Sequence, residues 1–133
     1  MNKFSAVITG IQRSDSLCCI ELDASGITLS MLLFDLAPSF QQGKRVHVLF
    51  KESEVALGKH LRGEISLSNR FRAVVRAIRQ GDILSDITLD SKAGEFGSII
   101  TTRAVERLGL QVSDEVTVMF KASQLSLETS HDT

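Results

Sequence analysis

An internal repeat constrains the fold of this chain more than any other feature of its sequence. Residues 1–23 align without a gap onto residues 68–90, and ten of the 23 aligned pairs are identical. Further on, FKESEVAL at residues 50–57 matches FKASQLSL at residues 120–127. A repeat of this length indicates two copies of one small unit that pack against each other. We therefore predict a pseudo-symmetric molecule with units at 1–60 and 65–128, followed by a polar tail at 129–133.

Each unit has the pattern of a mainly β structure. Apolar and polar residues alternate from Phe71 to Ala77, which is typical of a half-buried strand. In the second unit a helix is expected between the third and fourth strands, capped by Thr102 and ended by Gly109. Its counterpart at residues 35–40 is shorter and contains Pro38. Five short strands and one short helix per unit predict two tandem, five-stranded barrels like those of oligonucleotide/oligosaccharide-binding (OB) folds.

The charge balance argues against nucleic acid as a partner. The chain has 15 basic and 16 acidic residues, and it contains neither Trp nor Tyr. Nucleic-acid binding draws much of its affinity from phosphate neutralisation and, for single strands, from aromatic stacking. The phenylalanines recur at matched repeat positions and are therefore expected in the core.

The remaining composition indicates a reduced, soluble protein. Cys18 and Cys19 are adjacent on a predicted strand and point to opposite faces, so we expect no disulfide between them. No metal-ligand spacing surrounds them. The N-terminal residues lack the apolar segment of a signal peptide, and no run approaches the roughly 20 apolar residues that cross a membrane. We expect a cytoplasmic location.

Several segments of the second unit resemble the Mop, or molybdate-binding TOBE, family. The segment ISLSNRFRAVVRAI at 65–78 is similar to the opening strand of that domain. The segments GSIIT at 97–101, VERLGL at 105–110 and DEVTVMFKAS at 114–123 resemble its middle and its end. The resemblance spans residues 65–128 and reaches the first unit through the internal repeat, so the whole chain is similar to a tandem, or di-Mop, protein.

The resemblance implies binding of molybdate or tungstate without catalysis, for storage, homeostasis or sensing. Carried over to this sequence, the ligand segments are Ser66–Asn69, with Ser66, Ser68 and Asn69 as side-chain donors, and Lys121, Ala122 and Ser123. A second site in the first unit would use Asn2, Lys51 and Ser53. The resemblance also implies a homo-oligomer, with a trimer favoured over a dimer.

These residue types suit a tetrahedral dianion, which needs donors on several sides and compensation of its charge. Serine hydroxyls, an amide N–H₂ and a lysine ammonium supply both. The sequence departs from the family pattern at Ser68, where the family has Arg, and at Glu52, which replaces Ala122 in the first unit. Arg70 is a candidate substitute for the missing cation. We expect the stronger site in the second unit, completed by Lys51 and Ser53 of a neighbouring unit.

Two further hypotheses stay open at this stage. One is a TOBE-like module that has lost its ligand and regulates a transporter or a transcription factor, which Ser68 and Glu52 favour. The other is an OB-type nucleic-acid-binding module, which the neutral charge disfavours. No Ser/His/Asp or Cys/His set is visible in the sequence, so we expect no enzymatic activity.

Overall fold

The computed structural model describes residues 1–130 and shows two five-stranded antiparallel sheets. The strand order is β10-β4-β1-β2-β3 in the first sheet and β5-β9-β6-β7-β8 in the second. The prediction of a mainly β fold is therefore confirmed. The elements are β1 (Asn2–Ser14), β2 (Leu17–Ala24), β3 (Ile27–Phe34), β4 (Arg45–Phe50), β5 (Ala56–Gly58), β6 (Asn69–Gln80), β7 (Leu84–Ser91), β8 (Gly94–Thr101), α1 (Thr102–Leu108), β9 (Glu115–Phe120) and β10 (Ser126–Thr129).

The two repeats exchange their last strands. Strand β5 of the first repeat pairs with β9 of the second, and β10 of the second repeat pairs with β4 of the first. Leu57 lies opposite Val118, and Leu127 lies opposite Val48 at the equivalent position. Each sheet thus contains four strands of one repeat and one strand of the other. Among residues 1–130, no ladder joins β3 to β10 or β8 to β5, so both sheets are open at those edges.

A bulge at the same repeat position bends the first strand of each unit. The register between β1 and β2 shifts between Ile8 and Gly10, and that between β6 and β7 shifts between Val75 and Ala77. An extra residue at a bulge bends its strand and increases the local twist. Each long strand can therefore pair with its fourth strand before the bulge and with its second strand after it, which curls the sheet.

The expectation of one short helix in each repeat was wrong for the first repeat. In the second, the Thr101 hydroxyl accepts a hydrogen bond from Ala104 N–H, so Thr101 rather than Thr102 caps α1. Gly109 ends the helix in the left-handed region with φ 58°. In the first repeat, Asp35 adopts φ 53° and residues 35–40 form turns. Pro38 lacks the N–H that a helix would need there.

The sequence pattern predicts last strands at 53–57 and 123–127, but the observed strands begin later, at Ala56 and Ser126. Residues 52–54 and 122–124 form short 3-10 turns, so Ser53 and Ser123 lie in turns rather than in strands. The predicted tail is partly ordered, because Thr129 belongs to β10 and Ser130 is buried. The rest of that tail, residues 131–133, lies outside the described part of the chain.

Five phenylalanines join the two repeats into one core. The Phe4 ring lies 5.1 Å from Phe50 and 5.3 Å from Phe96, centroid to centroid. Phe50 stacks on Phe120 at 4.8 Å, and Phe120 meets Phe71 edge-on at 5.9 Å. Aromatic pairs in this range of distances stabilise a core beyond their buried area. The prediction that these matched phenylalanines pack in the core is confirmed.

Candidate functional site

Two segments that are distant in the sequence form one open cleft at the edge of the first sheet. Ser66, Leu67 and Ser68 precede β6, and Lys121, Ala122 and Ser123 follow β9. With Leu32 of β3 these residues line a cleft of about 290 Å³. Six of the residues carried over from the family resemblance therefore meet in space.

The side chain of Asn69 holds the first of these segments against β3 and does not line the cleft. It is fully buried; its Oδ1 accepts a hydrogen bond from Ser30 N–H at 2.7 Å, and its Nδ2 donates to Ser30 C=O at 2.9 Å. The pair of bonds fastens the start of β6 to β3. The 3-10 turn at 122–124 also packs against β3. Asn69 thus positions the cleft, whereas the sequence analysis assigned it as a ligand donor.

The donors of the cleft are exposed and unengaged within the described residues. Ser66, Ser68, Lys121 and Ser123 are all exposed, and no side-chain hydrogen bond or ion pair engages them among residues 1–130. The Lys121 ammonium is the single formal charge among the side chains that line the cleft. The backbone N–H of Lys121 donates a hydrogen bond to Gln124 Oε1 across the 3-10 turn. The cleft can therefore offer hydroxyls, one cation and backbone N–H groups to an anion.

The equivalent residues of the first repeat have different surroundings. Asn2 clamps Gly97 of β8 as Asn69 clamps Ser30, with bonds of 2.8 and 2.9 Å. Glu52, at the position of Ala122, forms an ion pair with the α-ammonium of Met1. Lys51 lines a different depression of about 280 Å³ that also includes Ser123, and Ser53 does not line it. None of the clefts described here is lined by two of the proposed second set, Asn2, Lys51 and Ser53.

Arg70 does not supply the missing cation to this cleft. Its guanidinium donates to Gly63 C=O at 3.1 Å and lines a separate cleft on the other side of Ser68. Sequence reasoning also missed Leu32, which is 39% exposed. The signal for Leu32 was present, because it is an apolar residue at an outward-facing position of an alternating strand.

The two resolved pKa shifts lie outside the candidate cleft. A hydrogen bond from Lys59 lowers the pKa of Asp114, and a hydrogen bond from Lys3 lowers the pKa of Glu128. In the chain as described up to residue 130, no three His, Cys, Asp or Glu side chains are grouped to hold a metal ion. None of the helices in that part is long and apolar enough to span a membrane.

The second repeat and the whole fold are each similar to known proteins. Residues 65–127 match the TOBE domain family. This range corresponds to the second repeat and includes both segments of the cleft. No curated protein matches the sequence. Among solved structures, the fold is similar to that of the cytoplasmic molybdate-binding protein ModG in a crystal form with molybdate bound, with a TM-score of 0.86 and 23% identity. The match covers 97% of this chain and 96% of the ModG chain.

Proposed function

We propose that this chain is a cytoplasmic molybdate-binding protein that holds the oxyanion in the cleft between Ser66–Ser68 and Lys121–Ser123. The observation that carries the proposal is the convergence of these two segments on one open cleft. Its support is the similarity of nearly the whole fold to a protein crystallised with molybdate. No chemical step is part of the proposal, since the cleft presents donors and one cation but no acid–base pair.

The donor set suits a fully deprotonated tetrahedral oxyanion. Ser66, Ser68 and Ser123 offer hydroxyls, Lys121 offers a charge with three N–H donors, and Ala122 offers its backbone N–H. Phosphate is partly protonated at neutral pH, and its O–H would lack an acceptor among these donors. We therefore expect molybdate, and tungstate of similar shape, to bind in preference to phosphate.

The cleft is open, and we propose that a homo-oligomer completes the site. One lysine and three hydroxyls line the cleft, whereas a dianion taken from water needs further donors and compensation of its second charge. A neighbouring copy would supply the rest, with Lys51 and Ser53 as the candidate residues and a trimer favoured over a dimer. The chain would then act as two tandem OB-like units per copy, in storage, homeostasis or sensing of molybdenum.

Isothermal titration with molybdate tests the proposal, with tungstate, sulfate and phosphate in parallel. We expect Lys121→Ala to weaken molybdate binding by about tenfold or more, since a hydrogen bond to a charged group contributes about 1.5–3 kcal/mol. The control is Lys44→Ala, which removes a lysine that lines none of the clefts described above and should bind as the unchanged protein does. Absence of molybdate binding by the unchanged chain would overturn the proposal.

A specific observation also favours a second candidate, a TOBE-like module that regulates a partner without a ligand. The cleft contains one formal charge where a dianion carries two, because Ser68 stands in place of a cation and Arg70 points elsewhere. In that case neither molybdate nor tungstate would raise the melting temperature, whereas a ligand that binds only the folded state must raise it.

A further inference from the structure

A second cleft, here called the basic cleft, lies between the start of β3 and β6. Its volume is about 480 Å³, against about 290 Å³ for the candidate oxyanion cleft. The two clefts share Ser68 and no other lining residue. The basic cleft falls within the range of about 300–1,000 Å³ that is usual for small organic ligands.

Three cationic side chains line the basic cleft, and none of its lining residues is acidic. Arg70 is held in place by Gly63 C=O, and the Arg72 guanidinium lies 2.9 Å from Glu115 on the neighbouring strand. Lys92 forms no ion pair with residues 1–130. Because Glu115 offsets the charge of Arg72, about two positive charges remain uncompensated. This balance favours a ligand group that carries two negative charges.

The walls of the basic cleft add an apolar surface and hydroxyl donors. Ile27 is almost fully buried, and the half-buried Phe71 ring is held by its contacts with the other phenylalanines. Thr28 and Ser30 also line the cleft and carry hydroxyl groups. The clamp on the Ser30 backbone makes that wall rigid, which lowers the entropy cost of binding. The cleft therefore offers both uncompensated cations and an apolar surface.

We propose that the basic cleft binds an organic phosphate monoester whose phosphate is attached to a flat, largely apolar group, as in a nucleoside monophosphate. Arg70 and Lys92 contact the phosphate, for which the planar guanidinium and the ammonium are suitable donors. The ring packs on Phe71 and Ile27. The site is separate from the oxyanion cleft and does not depend on molybdate binding.

Titration of the full chain with adenosine 5′-monophosphate tests this site. Adenosine lacks the phosphate and inorganic phosphate lacks the ring, so we expect both to bind at least tenfold more weakly than the monophosphate. We expect Arg70→Gln and Lys92→Gln each to weaken monophosphate binding by about tenfold, since each removes a charged hydrogen-bond donor. Raising the salt concentration should also weaken binding of the monophosphate to the unchanged chain.

The matched control is Arg79→Gln on the same strand, whose side chain is 89% exposed and pairs with Asp86 outside the basic cleft. It should bind the monophosphate as the unchanged protein does. Lys92→Gln should leave molybdate binding unaltered, and Lys121→Ala should leave monophosphate binding unaltered, so the two proposals can fail separately.

Four outcomes would overturn the site. They are no binding of the monophosphate at millimolar concentration, equal binding of inorganic phosphate, equal binding of adenosine, and unchanged binding by a folded Lys92→Gln variant. If Lys92→Gln instead changes the mass measured by light scattering, a second copy of the chain covers the cleft, and the ligand proposal is wrong.

Discussion

Two asparagines at matched repeat positions hold the two repeats together. Asn2 bonds to both backbone groups of Gly97, and Asn69 does the same at Ser30. A carboxamide carries one acceptor and a two-hydrogen donor side by side, so it can replace a neighbouring strand in pairing with a peptide unit. The same residue type is also a suitable oxyanion donor, which is consistent with the ligand role that the family resemblance implied for Asn69.

We expect Asn69→Ala to lower the free energy of unfolding by about 2–3 kcal/mol, because it leaves two backbone groups of Ser30 without partners. Urea denaturation measures this loss. Gln80→Ala, at the exposed far end of the same strand, is the control and should change stability by less than about 0.5 kcal/mol. A change that small at Asn69 would show that its side chain does not form the clamp.

The ion pair between Lys59 and Asp114 predicts a pH dependence of stability. Lys59 Nζ lies 3.0 Å from Asp114 Oδ2 and 3.0 Å from Gly109 C=O, so it ties the segment between the repeats to the end of α1. The pKa of Asp114 is lowered from 3.8 in the folded state. The stabilising contribution is therefore present at neutral pH and is lost as the pH falls through the ordinary value of 3.8 towards the lowered pKa of the folded state.

We compare Asp114→Asn with the unchanged chain by urea denaturation from pH 7 to pH 3. The difference in unfolding free energy should stay constant down to about pH 5 and shrink as the pH falls through the ordinary aspartate range. Glu106→Gln, a helix carboxylate for which the structure shows no ion pair within residues 1–130, is the control. A difference that does not vary with pH would exclude the ion pair as its origin.

At the scale of elements, the exchange of β5 and β10 links each sheet to the other repeat. The fifth strand of each repeat is short, and the 3-10 turn before it packs against the third strand of the other repeat. The Lys-x-Ser sequences at 51–53 and 121–123 lie at the start of these two turns, with the lysine directly before each turn. The strand exchange thus places the second of these sequences beside Leu32 of the first repeat.

Removal of residues 126–133 tests the exchange. Since β10 pairs with β4, the backbone amides of residues 45–50 should exchange hydrogen faster, whereas those of residues 115–120 should keep their protection. The amides of residues 115–120 therefore serve as the internal control. Loss of protection in β9 instead of β4 would mean that each repeat pairs its own last strand.

The helix illustrates how a local difference separates two similar sequences. Thr101 and Gly109 cap α1 at its two ends, and both form hydrogen bonds with residues three or four positions away. In the first repeat, Asp35 and Pro38 stand in the corresponding segment, and no helix forms. The sequence already indicates this difference, because Pro38 lies in the segment of the first repeat and no proline lies in that of the second.

At the scale of the whole molecule, the two repeats share one core. The phenylalanine cluster contains residues from both repeats, and neither sheet is complete without a strand of the other. A unit of about 60 residues buries a smaller fraction of its surface than a domain of 133 residues does. The shared core compensates for the small size of each repeat.

We expect Phe120→Ala to lower the free energy of unfolding by about 3–4 kcal/mol, the usual cost of removing a buried ring. Amide signals from both repeats should disappear in one transition during urea denaturation followed by nuclear magnetic resonance. Phe34→Ala is the control, because Phe34 is 68% exposed. Separate transitions for the two halves would contradict the shared core.

The sequence by itself determined the elements of this protein, and only the tertiary structure decided how they combine. Alternating polarity, turn residues and helix caps act over a few neighbours, so most of the strands and α1 could be predicted, whereas the two segments of the cleft were implied by the family resemblance. The exchange of last strands could not, because the two repeats are so similar that pairing within a repeat and pairing between repeats satisfy the same local pattern. The direction of the Asn69 side chain depends on Ser30, 39 residues away in the chain. Contacts at that distance are selected by packing of the whole molecule, which also decided that Arg70 faces the basic cleft and Lys121 the oxyanion cleft.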